Sequence, residues 1–134
     1  MPDLIELSTF HSDSGNLTVF EKLMPGTIKR AYYLYATKHI PCGGHRYHTT
    51  WNAMICLHGW CRIYVHDGDT EVLHTLDKPH QCLILEPRDW HAVEDFSDDA
   101  ILLVLSNEYY SVEEYIDTPY PNSSGVPLPH NVLM

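Results

Sequence analysis

Two short stretches of the 134-residue chain concentrate side chains able to move protons: Gly43-Gly44-His45-Arg46-Tyr47-His48 and Pro87-Arg88-Asp89-Trp90-His91. Imidazole titrates near neutrality, so His45, His48 and His91 suit general acid and base work, whereas an unperturbed phenol such as Tyr47 has a pKa of about 10. Tyr47 therefore reads as a proton donor, and as a base only where a cation or hydrogen bond stabilises its phenolate. Alternate residues of an extended strand share a face, which puts His45, Tyr47 and Trp51 on one side and His48 and Asn52 on the other. With the first face turned inward, His91 joins it in a pocket of aromatic walls and few polar groups.

The elements that must position these residues read as strands. Leu17 to Glu21, Ile28 to Tyr35, Trp51 to His58, Cys61 to His66, Glu71 to Leu76, Gln81 to Glu86 and Ala100 to Leu105 are short, rich in β-branched or aromatic residues, and bounded by turn formers. Asp67-Gly68 between two such runs supplies the positive φ of a tight hairpin. Ser111-Val-Glu-Glu114 carries a helix-start pattern in which Glu114 reaches back to the Ser111 amide, so one short C-terminal helix is expected. The expected class is all-β, with one domain over residues 1–116 and an irregular tail over 117–134, rich in Pro, Asn, Ser and Gly, that lies over the surface or a neighbouring subunit.

Composition narrows the partners. The formal charge is −10, from 18 acidic and 8 basic side chains, so the long-range field repels phosphate backbones and argues against nucleic acid. A single nucleotide diphosphate needs only one or two local cations, which Lys29, Arg30 and Arg62 can supply, the guanidinium groups bidentately. There is no basic stretch followed by an apolar run at the start and no apolar span of about 18 residues, so a soluble, cytoplasmic protein with no membrane partner is expected. Cys42, Cys56, Cys61 and Cys82 lack close-paired metal spacing and read as reduced, hydrophobic filling. His58, His66, His74 and His80 fall at expected strand ends and turns and read as solvated.

Nearly the whole chain resembles the sugar 3,4-ketoisomerase branch of the cupins, the WxcM-like (FdtA-type) enzymes acting on thymidine-diphosphate-linked 4-keto-6-deoxyhexoses. The resemblance rests on Asp13 to Leu17, Ile28 to Leu34, the Gly-x-His run at Gly43 to His45, Leu57 to Arg62, Asp67-Gly68, Thr75 to Pro79, Pro87 to His91, and Asp95 to Ser97 leading to Tyr109-Tyr110 and Glu114 to Ile116, in shared order. It implies a jelly-roll β-barrel of the cupin type, a homodimer with its ligand in the barrel mouth, and no metal or redox cofactor. It also implies proton transfer through an enediol that moves a ketone between carbons 4 and 3.

The chain departs from the family motif at one place. The first histidine of its His-x-His pair is His45, but Tyr47 stands at the second, His48 at the basic residue after it, and Cys42 at the arginine before the glycine. Three readings stay open: His45 acting with Tyr47, His48 turned inward by a bulge, or a site that binds a nucleotide-linked sugar without isomerising it. Epimerisation uses the same enediol and also stays open. The metal-cupin pattern reads here as His45, Tyr47, Trp51 and His91, which leaves too few ligands for a tight site. Arg30, Tyr33 and Arg62 are the expected diphosphate-side contacts, with Trp51, Trp90 and His91 lining the ligand.

Overall fold

A computed structural model describes residues 3–39 and 41–124. Met1-Pro2 and the tail residues 125–134, on which part of the sequence reading falls, lie outside the described residues.

The chain forms two five-stranded antiparallel sheets packed face to face. The first holds, in order, β1 (Asp3–Glu6), β9 (Gln81–Leu85), β6 (Asn52–His58), β11 (Ile101–Ser106) and β4 (Arg30–Leu34). The second holds β12 (Tyr115–Ile116), β5 (Cys42–Tyr47), β10 (Trp90–Phe96), β7 (Cys61–His66) and β8 (Glu71–Leu76). A separate hairpin pairs β2 (Ser8–Ser12) with β3 (Gly15–Val19). The architecture is the expected all-β cupin type, with the two sheets not joined edge to edge into a closed barrel.

Period-two alternation builds the core between the sheets. Leu34, Met54, Leu83, Leu85, Leu102 and Val104 of the first sheet meet Cys42, Ile63, Val65, Leu76, Val93 and Phe96 of the second, each 7% exposed or less. All four cysteines are buried and none is in a disulfide, as packing residues would be. A second cluster on the outer face of the first sheet centres on Ala53, Ile55, Cys82 and Ile84 and takes in Trp51.

Three local features decide where the site side chains go. Gly43 and Gly44 have φ of 88° and 92°, and the β10 pairing skips from His45 to Gly43 across them. Glycine tolerates this left-handed bulge, which lets Cys42, His45 and Tyr47 all face inward despite the odd spacing between the first two. The β7–β8 hairpin forms where Asp67-Gly68 indicated, but its loop is four residues long. There the Asp67 carboxylate accepts from the Asp69 and Thr70 amides, and only Gly68, at φ 104°, is left-handed.

The expected C-terminal helix is a single 3-10 turn, Val112–Glu114, with no side-chain cap at Ser111. Glu114 instead accepts from the Thr49 amide and from the Thr49 and Thr50 hydroxyls, so the carboxylate is spent on the β5–β6 turn. That contact seats β12 beside β5, with Tyr115 opposite Tyr47.

Candidate active site

His45, Tyr47 and His91 converge at one end of the space between the sheets, exposed by only 3%, 5% and 1%. β5 delivers the first two and β10 the third, with His45 opposite His91 in the strand register. The His45 Nε2 and Tyr47 hydroxyl are 3.0 Å apart, and the His45 and His91 rings are 5.2 Å apart, edge to face. Tyr115 closes the group from above, 4.5 Å from the His45 ring and 5.0 Å from that of Tyr47.

Burial fixes the protonation states. Loss of water, reinforced by His91, lowers the His45 pKa to about 3, and burial lowers that of His91 to about 4, so both rings are neutral at pH 7. Burial, together with the neighbouring phenols of Tyr32 and Tyr115, pushes Tyr47 well above the usual phenol range, so it keeps its proton. The protonated phenol and the neutral imidazole share one hydrogen bond through Nε2. His91 Nδ1 lies 2.9 Å from the Asp89 carbonyl, which can only accept, so Nδ1 carries the proton and Nε2 is left with a bare lone pair. That Nε2 is buried without a hydrogen-bond partner.

Beside this cluster runs an open groove of about 570 Å³ along the free edge of β4, lined among others by Arg30, Tyr32, Tyr33, Lys38 and Cys42. Of its lining residues Arg30 and Tyr32 also neighbour Tyr47, while His45, Tyr47 and His91 do not themselves line the groove. The Arg30 guanidinium lies 4.3 Å from the Tyr32 ring and 5.1 Å from that of Tyr110, which holds a cation at the entrance.

The structure therefore brings together His45, Tyr47, His91 and Arg30 of the residues singled out in sequence, and it relocates five others. His48 is exposed, and its amide donates to the Glu114 carbonyl, because the strand ends there and no bulge turns the residue inward. Trp51 packs on the outer face of the first sheet and Asn52 takes the inward position, because the turn at Thr49-Thr50 resets the alternation between β5 and β6. Arg62 faces outward, since Cys61 and Ile63 occupy the inner positions of β7, and it binds Asp95 at 2.9 Å and stacks on Trp60. Trp90 lies on the outer face of the second sheet, edge to face with Tyr64, and its Nε1 donates to the Asp117 carbonyl. Tyr33 is 62% exposed on the outer face of β4 and reaches only the groove rim. His66, expected in solvent, is 1% exposed under Tyr120, and its Nδ1 accepts from the Gly68 amide.

Tyr32, Asn52, Ser106 and Tyr115 also face this end and were not singled out in sequence as ligand contacts. The alternation of Tyr32 against Tyr33 left open which of them faced inward. For Asn52 the run Asn-Ala-Met-Ile-Cys is apolar on both faces of the strand and gives no periodic signal.

Comparison with known proteins decides the family. The family described as FdtA: WxcM-like, C-terminal matches residues 2–121. The chain belongs to that family. It is 38% identical over 105 residues, 76% of each chain, to the TDP-4-oxo-6-deoxy-alpha-D-glucose-3,4-oxoisomerase of Aneurinibacillus thermoaerophilus. Its structure superposes with a TM-score of 0.82 and 31% identity on a 3,4-ketoisomerase from Helicobacter canadensis, covering 87% of this chain and 90% of the other. A sugar 3,4-ketoisomerase of Thermoanaerobacterium thermosaccharolyticum, solved in complex with TDP, gives a TM-score of 0.82 at 32% identity, covering 87% of this chain and 88% of the other. Among the described residues no helix is long and apolar enough to cross a membrane.

Proposed function

We propose that this member of the family is a 3,4-ketoisomerase of a TDP-linked 4-keto-6-deoxyhexose, working as a homodimer without a metal or redox cofactor. The observation that carries the reading is the pairing, in one dry pocket, of an imidazole nitrogen with a bare lone pair and a phenol that keeps its proton. A relative named as a TDP-4-oxo-6-deoxy-alpha-D-glucose-3,4-oxoisomerase, at 38% identity, and a sugar 3,4-ketoisomerase solved with TDP, at 32%, support the substrate class. The groove beside β4 accommodates the nucleotide, with Arg30 facing the diphosphate and Lys38 on its wall. The outward Tyr33 and Tyr35 and the exposed Phe10 and Leu17 of the β2–β3 hairpin favour a second copy as the covering surface. A cytoplasmic location suits a nucleotide-linked substrate.

The roles follow from the tautomers. His91 Nε2 takes the proton from carbon 3, and the electron pair moves onto the carbon-4 oxygen to give an enediolate. The hydroxyl proton at carbon 3 passes to the neighbouring oxygen, Tyr47 donates to carbon 4, and the ketone stands at carbon 3. His45 holds the Tyr47 phenol through their hydrogen bond, and once product leaves, His91 releases its proton to water and Tyr47 takes one up, so that the protein ends as it began. His48 and the outward Trp51, Trp90 and Arg62 have no part in this scheme.

Incubation with TDP-4-keto-6-deoxyglucose in deuterated water, followed by NMR, tests it. The expected result is a 3-keto product with deuterium at carbon 4, or loss of the carbon-3 proton signal beyond a protein-free control. Ligand line-broadening with no exchange would replace the isomerase with a sugar-binding protein.

A further inference from the structure

At the same end of the pocket the facing sheet carries a second polar group. Asn52 begins β6 on its inner face, 1% exposed, and pairs in register with Ser106 of β11, which in turn pairs with Arg30 of β4. The Ser106 hydroxyl donates to the Asn52 Oδ1. That bond uses the acceptor of the carboxamide and orients it, while the Asn52 Nδ2 is buried and has no hydrogen-bond partner. Its strand neighbours on the inner face, Met54 and Cys56, belong to the hydrophobic core and offer the amide no acceptor.

A buried donor without a partner is a cost that native proteins seldom carry without a reason. On the isomerase reading, on which this inference depends, the pocket must accommodate a negative charge that begins on the carbon-4 oxygen and ends on the carbon-3 oxygen. His91 Nδ1 is committed to the Asp89 carbonyl, Tyr47 to His45, and the Arg30 guanidinium stacks on Tyr32 at the groove, which leaves the Asn52 Nδ2 as a buried and unbound N–H donor on the facing sheet. We infer that the Asn52 carboxamide is a catalytic group that donates its two N–H bonds to the enediolate oxygens, with Ser106 as the positioning residue that fixes its orientation. Two hydrogens on one nitrogen match two adjacent oxygens that share the charge as the ketone moves. Donors held in place before the charge develops act through the transition state rather than through ground-state binding.

The test uses the full chain with TDP-4-keto-6-deoxyglucose. Asn52→Asp keeps an acceptor for the Ser106 hydroxyl but removes the donor. Asn52→Leu combined with Ser106→Ala removes both partners and leaves an apolar wall. Each variant is expected to lose about 10²- to 10³-fold in kcat, as measured for single oxyanion-binding donors elsewhere. TDP affinity should stay within about threefold of the parent, and the double variant should melt no lower than the parent, because it removes an unsatisfied buried donor.

A parent that exchanges the carbon-3 proton alongside variants of unchanged kcat would overturn the role of Asn52 and leave the isomerase standing. A double variant that loses its fold and its TDP affinity would make the pair structural. A parent that exchanges nothing would remove the isomerase reading itself.

Discussion

Trp90 and His91 are neighbours on β10, yet they belong to aromatic clusters of opposite character. On the outer face Trp90, Tyr64, His66 and Tyr120 each have a polar partner. The Trp90 Nε1 donates to the Asp117 carbonyl, the Tyr64 hydroxyl to Glu71, the Tyr120 hydroxyl to the Arg88 carbonyl, and His66 accepts from the Gly68 amide. Residues 117–124 cross this face and close it, the Ser124 amide reaching Glu71. On the inner face the same kinds of ring leave His91 Nε2 unpartnered, and Asn52 Nδ2 on the facing sheet likewise. Histidine and tyrosine beside a barrel core therefore carry no functional meaning by type alone. The difference lies in whether the hydrogen-bonding groups are satisfied within the chain.

The largest effect that separates the clusters is one of stability. Trp90→Ala removes a 1% exposed ring and its hydrogen bond from a closed cluster, and urea unfolding should show a loss of about 3–5 kcal/mol. A loss below about 1 kcal/mol would mean that the outer cluster is loosely packed and that its satisfied bonds do not mark a structural role.

A smaller effect comes from titration of the inner cluster. Between about pH 4 and 6 the unfolded chain holds protons on His45 and His91 that the folded chain, with pKa values of about 3 and 4, does not. His74, lowered by burial, acts in the same direction. Asp89 opposes them, because burial raises its carboxyl to about 6 and the folded state keeps a proton that the unfolded state has released. The unfolded state is left with at least one extra proton, so stability rises with pH across this window by about 1.4 kcal/mol per unit and levels off near pH 7. Asp89→Asn should steepen the slope; a slope that is flat in the parent would mean that the imidazoles are solvated rather than dry.

Much of this arrangement was legible in the sequence where the pattern is local. Seven strands, the β7–β8 hairpin and the shared face of His45 and Tyr47 follow from alternation and from Asp67-Gly68. β10 was not recognised as a strand because Glu94 and Asp95 interrupt its apolar run, and Asp95 is tolerated there only by pairing with Arg62 and His39 across the structure. The sides taken by Trp51 and Asn52 were misread because the four-residue connection from His48 to Trp51 resets the period without a glycine or proline to announce it. His66 looked solvated because the segment that covers it lies more than fifty residues further along the chain. The unsatisfied nitrogens of His91 and Asn52 are a property of packing and have no sequence signature.

The division of labour between the base and the acid is tested most directly by deuterium exchange in two variants, His91→Asn and Tyr47→Phe, with TDP-4-keto-6-deoxyglucose. The account predicts that His91→Asn loses both carbon-3 exchange and ketone migration by at least about 10²-fold, the usual contribution of a positioned base. Tyr47→Phe should still exchange the carbon-3 proton while failing to deliver one to carbon 4. Migration at the parent rate in Tyr47→Phe, or exchange at the parent rate in His91→Asn, would contradict it.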